Sequence, residues 1–205
     1  MNTQAATPIS RNPFAEGNLS PEGWIATETV DGIRLYRHEI DGSAIPALRA
    51  ETLFQATPQQ IYEIISDYDH FTAFVPQVEK SRILKQAGNT LWVYQRLSFP
   101  PPFAARQYVL QSSDQLSRPE KLYFRVNWTL DQEQSRELLG TKDSIPTAFA
   151  GFWELRPGQK DHTTATTYAV YLDPGGKLPA WLVDRGTRRL LPALITAIRK
   201  KLQRF

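Results

Sequence analysis

The sequence predicts an α+β fold in which a curved antiparallel sheet wraps around one long carboxyl-terminal helix, with a short helix after the early strands. Three observations predict it. Runs of alternating apolar and polar residues recur from Gly32 to Leu172, bounded by turn pairs such as Asp31-Gly32, Asp41-Gly42 and Gly88-Asn89. A capped helical stretch interrupts them at Thr57-Pro58-Gln59-Gln60. An apolar pattern of helical period follows Asp173-Pro174-Gly175-Gly176 and runs to the end of the chain.

In chain order, residues 1–22 read as an irregular arm rich in Pro, Asn and Ser, and residues 23–205 as a single domain. The strand runs are Gly32–Ile40, Ala47–Gln55, Val78–Lys85, Thr90–Phe99, Ala105–Ser112, Lys121–Leu130, Ala148–Arg156 and Thr163–Leu172. Lys121–Leu130 is the cleanest: Leu122, Phe124, Val126, Trp128 and Leu130 share one face, and Tyr123, Arg125, Asn127 and Thr129 the other. In the short helix Thr57 suits the N-cap, Pro58 the first position and Gln60 the capping box. Ile61, Ile64, Ile65 and Tyr68 then form a one-sided stripe. The long helix opens near Pro179 and reaches about Leu202, roughly 36 Å at 1.5 Å per residue. Leu178, Trp181 and Leu182 make one stripe, and Leu191, Leu194, Ile195, Ile198, Leu202 and Phe205 a second; Gly186 and Pro192 lie around the change of phase. Glu137–Thr147 reads as a long loop, and Ser98–Ala104, with three consecutive prolines, as its stiffer neighbour at a cavity mouth.

The 205 residues suffice for one domain with a sizeable core. No cysteine is present, which removes disulfides, thiolate metal sites and a cysteine nucleophile. His38, His70 and His162 are too far apart for a paired-histidine metal motif. Gly-x-Ser-x-Gly, His-Glu-x-x-His and a phosphate-binding glycine loop are all missing. No apolar run reaches a membrane span of about 18 residues, and the expectation is a soluble chain. The expected compartment is the cytoplasm, with export after removal of a leader peptide as the alternative. The net charge of +3 hides an asymmetry, because Lys177–Phe205 holds eight basic residues against Asp184 alone, leaving −4 for the remainder.

The stretch AETLFQATPQQIYEIISDYDHFTAFVPQVEKSRIL (50–84) resembles the opening of the START-like, SRPBCC helix-grip superfamily, which includes polyketide cyclases and coenzyme Q-binding proteins. WVYQRLSFPPPFAARQYVL (92–110) resembles its next hairpin, with Arg106 leading the second strand. DPGGKLPAWLVDRGTRRLLPALITAIRKKL (173–202) resembles the closing Gly-Gly, Pro-Ala-Trp and terminal helix. The resemblance implies a helix-grip fold with a hydrophobic cavity of a few hundred Å³ between sheet and terminal helix. It implies a lipid or isoprenoid as ligand, and the function expected is binding or transport of a lipid, isoprenoid or quinone. The missing motifs add the expectation that no cofactor, metal or catalytic residue takes part.

Candidate cavity residues in such a fold are Trp92, Tyr94, Tyr108, Phe124, Trp128, Phe149, Trp153, Tyr168, Trp181 and Leu182, with Arg96 and Arg106 as polar partners for a head group. Arg125 reads as a surface strand arginine. Two alternatives stay open: a cyclase or aromatase enzyme steering ring closure with Tyr or Arg donors, and a protein docking on RNA or a ribosome-like surface. Arg185, Arg188, Arg189 and Arg199 recur at helical spacing and are expected to face solvent as a handle for an anionic membrane. No aromatic residue interleaves with them, so nucleic acid is not the expected partner.

Overall fold

A computed structural model describes residues 12–15, 21–99, 104–140, 145–176 and 180–204, with the side chains of Pro21 and residues 180–187 outside the description. Nine antiparallel strands form one open sheet: β1 (Ile25–Val30), β2 (Ile33–His38), β3 (Ala47–Phe54), β4 (Val78–Ala87), β5 (Thr90–Leu97), β6 (Arg106–Ser113), β7 (Phe124–Leu130), β8 (Ala148–Pro157) and β9 (Thr164–Asp173). Their spatial order is β1-β2-β3-β9-β8-β7-β6-β5-β4, so β1 and β4 are the edges. Three helices join them: α1 (Pro58–Ser66), α2 (Gln132–Leu139) and α3 (Ala180–Leu202). The α+β class, the curved antiparallel sheet and the closing helix are as the sequence predicts.

Two elements differ from expectation. β1 was not expected; it is an edge strand exposed along nearly its whole length, with Ile25 59% accessible, so burial imposes no alternation on it. α2 lies partly where a long loop was expected. Its residues, QEQSRELL, are mostly polar, and the stretch folds because both ends are capped. The Asp131 side chain accepts from the Gln134 amide at 2.9 Å, and Gly140 takes the left-handed conformation that ends the helix. Residues 141–144 and 100–103 lie outside the description, and with them part of the expected mouth.

The core lies between the concave face of the sheet and the helices. Thr57 closes the capping box on α1, with Gln60 N–H donating to its hydroxyl at 3.3 Å and its own N–H donating to Gln60 Oε1 at 3.0 Å. Ile61, Ile64 and Ile65 are thereby aimed at the sheet and buried, each contributing roughly 1.5–3 kcal/mol of transfer free energy. Leu191, Ile195 and Ile198 bury the matching stripe of α3, with Pro192 inside the helix. The convex face carries a smaller cluster of Ile40, Ala47, Ala148 and Tyr171. Phe14, from the segment read as an irregular arm, packs on it and meets Phe152 edge-on at 5.5 Å.

The expected solvent face of α3 needs a correction at Arg199. Its guanidinium donates to Asp31 O at 2.9 Å and to Thr52 Oγ1 at 2.7 Å, so it fastens the helix to the β1–β2 turn and β3. Arg189 is exposed, Arg188 is half-buried, and the side chains of Arg185, Trp181 and Leu182 lie outside the description.

Candidate functional site

Strand alternation assigns each side chain to one of two faces. Tyr108 and Leu110 of β6, Trp128 of β7, Phe149 and Trp153 of β8, and Tyr168, Val170 and Leu172 of β9 point to the concave face and surround a cavity of about 140 Å³. Leu190, Leu191, Leu194 and Ile198 of α3 close it from the other side. Phe71, Phe74, Val75 and Pro76, from the turn after α1, complete the wall. These four and Leu190 and Leu194 are half-buried, whereas Tyr108, Trp128, Trp153 and Tyr168 are buried, so the cavity opens between that turn and α3.

The volume is below the few hundred Å³ expected, because large rings project into the space. Trp128 stacks on Tyr168 with centroids 5.6 Å apart, Trp153 lies 4.3 Å from Tyr168, and Phe149 meets Tyr108 edge-on at 5.2 Å. It is still a size at which apolar cavities stay dry and admit a small guest. Gly151 is part of the construction. A Cβ there would come within 2.3 Å of Trp128 Cζ2 and 2.5 Å of Ala169 O, so only glycine lets the indole lie flat against β8.

Five of the expected residues do not line this cavity. On β5 the concave face belongs to Leu91, Val93, Gln95 and Leu97, so Trp92, Tyr94 and Arg96 point to the convex side. Trp92 Nε1 donates to Asp131 Oδ2 at 3.0 Å, Tyr94 donates to Gln107 Oε1 at 2.7 Å, and Arg96 pairs with Glu79 at 3.0 Å. Phe124 faces inward but stacks on Tyr62 at 4.6 Å in the packed core beside α1. Arg106 shares the inward parity and is spent on structure. Its Nε, Nη1 and Nη2 donate to the carbonyls of Pro174 at 2.6 Å, Ala104 at 2.8 Å and Gly175 at 3.0 Å. Burial lowers its pKa from the ordinary arginine value. Gly175 and Gly176 have φ of +64° and +71°, and the turn they form brings these carbonyls to Arg106. Arg125 is on the convex side, paired with Glu154 at 3.0 Å and 3.5 Å from the Phe152 ring centroid.

The concave wall includes residues that sequence reasoning missed. Phe71, Phe74, Val75 and Pro76 lie in and just after a short 3-10 helix, Tyr68–Ala73; their signal was a dense apolar run in a segment read as irregular. Gln95 was hidden as a polar residue at an inward position. Tyr68 also lines a second, more polar hollow of about 320 Å³ with Tyr62, Ser112 and Asp114, and its hydroxyl lies 2.8 Å from Ser112 Oγ. Among the described residues no group of His, Asp and Glu could hold a metal ion, and no helix is long and apolar enough to cross a membrane.

Known proteins of this shape were found by both sequence and structure. A Pseudomonas aeruginosa protein of uncharacterized function is 25% identical over 170 residues, covering 82% of this chain and 81% of its own. The crystal structure of a STAR-related lipid transfer protein fragment from Xanthomonas axonopodis superposes with a TM-score of 0.76 at 22% identity, covering 89% of this chain and 99% of that one. Human STARD10 gives 0.73 at 14% identity, over 87% of this chain and 72% of that one. The Zhui aromatase/cyclase of Streptomyces sp. R1128 gives 0.56 at 13% identity, over 77% and 93%. The fold is therefore the START-like helix-grip fold. Residues 54–199 match one family over most of the chain, and the protein belongs to it: the polyketide cyclase / dehydrase and lipid transport family.

Proposed function

We propose that this protein binds a hydrophobic small molecule, a lipid, isoprenoid or quinone, in the cavity between sheet and α3 and carries it without changing it chemically. The observation that carries this reading is the composition of the wall. Every described lining residue is apolar or aromatic except Gln95, and none is a carboxylate, histidine or lysine able to take up a proton from a substrate. The lipid-transfer relatives support the same reading by analogy of fold. Native mass spectrometry of the purified chain, followed by organic extraction, tests it. One apolar compound per chain supports the proposal; a chain that emerges empty and takes up no apolar probe overturns it.

A cyclase-type enzyme is the second reading, favoured by the Tyr68, Tyr108 and Tyr168 phenols at the wall. Turnover of a polyketide-like substrate that is lost on Tyr108→Phe would put it first.

Transfer needs a surface to collect from, and we propose an anionic membrane. Arg189 and Lys200, three turns apart on one face of α3, are exposed, as is Arg204 beyond its end. Each contributes about 1 kcal/mol at such a surface, a weak and reversible attachment. Co-sedimentation with anionic vesicles should fall to the level of neutral vesicles when all three become Gln; unchanged binding removes the handle.

A further inference from the structure

Three phenols and one amide bring polar atoms to a wall that is otherwise hydrocarbon. Tyr108 donates to Gln95 Oε1 at 3.3 Å, Gln95 Nε2 donates to Ser81 Oγ at 3.2 Å, and the Tyr68 and Ser112 hydroxyls are hydrogen-bonded to each other at 2.8 Å. The Tyr168 hydroxyl has no hydrogen bond among the described residues, although the side chain is 9% accessible and lines the cavity. The stacked partner, Trp128, keeps a buried Nε1–H that also has no partner among the described residues. The Trp128 N–H is enclosed, so the Tyr168 hydroxyl is the unused polar group that a guest in the cavity can meet.

Positive charge is committed elsewhere. Three Arg106 nitrogens donate to backbone carbonyls, Arg96 and Arg125 pair with Glu79 and Glu154 on the convex face, and Arg199 holds Asp31 and Thr52. Lys201, whose ammonium lies 4.3 Å from the Phe74 ring centroid at the opening, is paired with Asp67 at 3.3 Å. No described lining residue is charged. A carboxylate or phosphate entering this space would lose its hydration with no counter-charge to offset the loss.

Resting on the binding reading above, we infer that the cavity selects a neutral ligand bearing one oxygen function, an alcohol or a ketone- or quinone-type carbonyl, which meets the Tyr168 hydroxyl; anionic lipids are excluded. Burial supports the same division of labour. It raises the Tyr108 and Tyr168 phenols well above the ordinary tyrosine value and pushes Tyr68 up to about 12, so all three stay protonated across the working pH range.

Calorimetric titration with naphthalene, 2-naphthol and 2-naphthoate at pH 7 tests this, since the three share one ring system and differ in the oxygen group. In the wild type 2-naphthol should bind at least as tightly as naphthalene, and 2-naphthoate roughly tenfold or more below 2-naphthol. Tyr168→Phe should weaken 2-naphthol about three- to tenfold while naphthalene binding stays within about twofold, which also reports an intact cavity. Wild-type binding of 2-naphthoate as tight as 2-naphthol overturns the inference, and that comparison requires no variant to fold. So does a Tyr168→Phe protein that keeps full affinity for 2-naphthol. Failure of all three probes, naphthalene included, overturns the binding reading itself and this inference with it.

Discussion

Trp92 and Trp128 stand on the same sheet and meet opposite surroundings. On the convex side Trp92 donates its indole N–H to Asp131 at 3.0 Å and lies 4.2 Å under the Lys85 ammonium. On the concave side Trp128 stacks on Tyr168, and its N–H has no partner among the described residues. The convex rings are covered by long polar side chains and by the cap of α2. The concave rings pack on one another and leave a void. A wall that must accept a guest keeps its shape imperfectly filled, at a cost in stability.

The largest effect should come from Arg106, an arginine buried at an inward position. Arg106→Ala removes three charge-assisted hydrogen bonds and strands the carbonyls of Pro174 and Gly175, costing about 2–4 kcal/mol in denaturant unfolding. Arg96→Ala, its convex counterpart in a solvent-facing pair with Glu79, should cost less than about 1 kcal/mol. Equal costs would dissolve the contrast between the faces.

Next comes Gly151→Ala. The added Cβ would press on the Trp128 indole at 2.3 Å, so stability should drop by about 1–3 kcal/mol and the indole should be pushed into the cavity, lowering affinity for an apolar probe. Reduced affinity with the fold retained sharpens the assignment of this wall; unchanged affinity removes Trp128 from it.

The strand run of β7 and the capping box of α1 were legible because burial on one face forces period, and a helix start needs particular side chains. β5 was not legible in the same way. Its sequence TLWVYQRL has large or apolar residues at both parities, and only the convex cover from Asp131, Lys85 and Gln107 explains why Trp92 and Tyr94 look buried while facing outward. That cover depends on α2, whose polar sequence has little periodic signal, although Asp131 and Gly140 punctuated it in plain view. Tyr108, Trp128, Phe149, Trp153 and Tyr168 were expected at inward positions and line the cavity; that they hold a ligand belongs to the proposal. The role of Arg106 depends on a turn 68 residues away, a distance no local pattern spans.

The smallest effect concerns the link between the ends of α1 and α3 beside the mouth. Burial alone would raise the Asp67 pKa, but the His70 hydrogen bond at 2.6 Å and the Lys201 ammonium at 3.3 Å outweigh it and hold the carboxyl below its ordinary value. A carboxyl depressed in the folded state stabilises the fold above its unfolded pKa, and that contribution disappears as pH falls through the folded value. The pair is about one-third exposed, so Asp67→Asn should cost under about 1 kcal/mol at pH 7, and the cost should shrink as pH falls through the folded-state value. A cost that does not shrink in acid would mean that packing, not charge, makes the link.

The central claim is that one sheet is filled on its convex face and hollow on its concave face. Crystals pressurised with xenon test it most directly, since the gas enters dry apolar voids and needs no knowledge of the natural ligand. A xenon peak is expected between Trp128, Trp153, Tyr168 and Leu191, and none beneath Trp92 and Tyr94. A concave face without xenon, or a peak on the convex side instead, would contradict it.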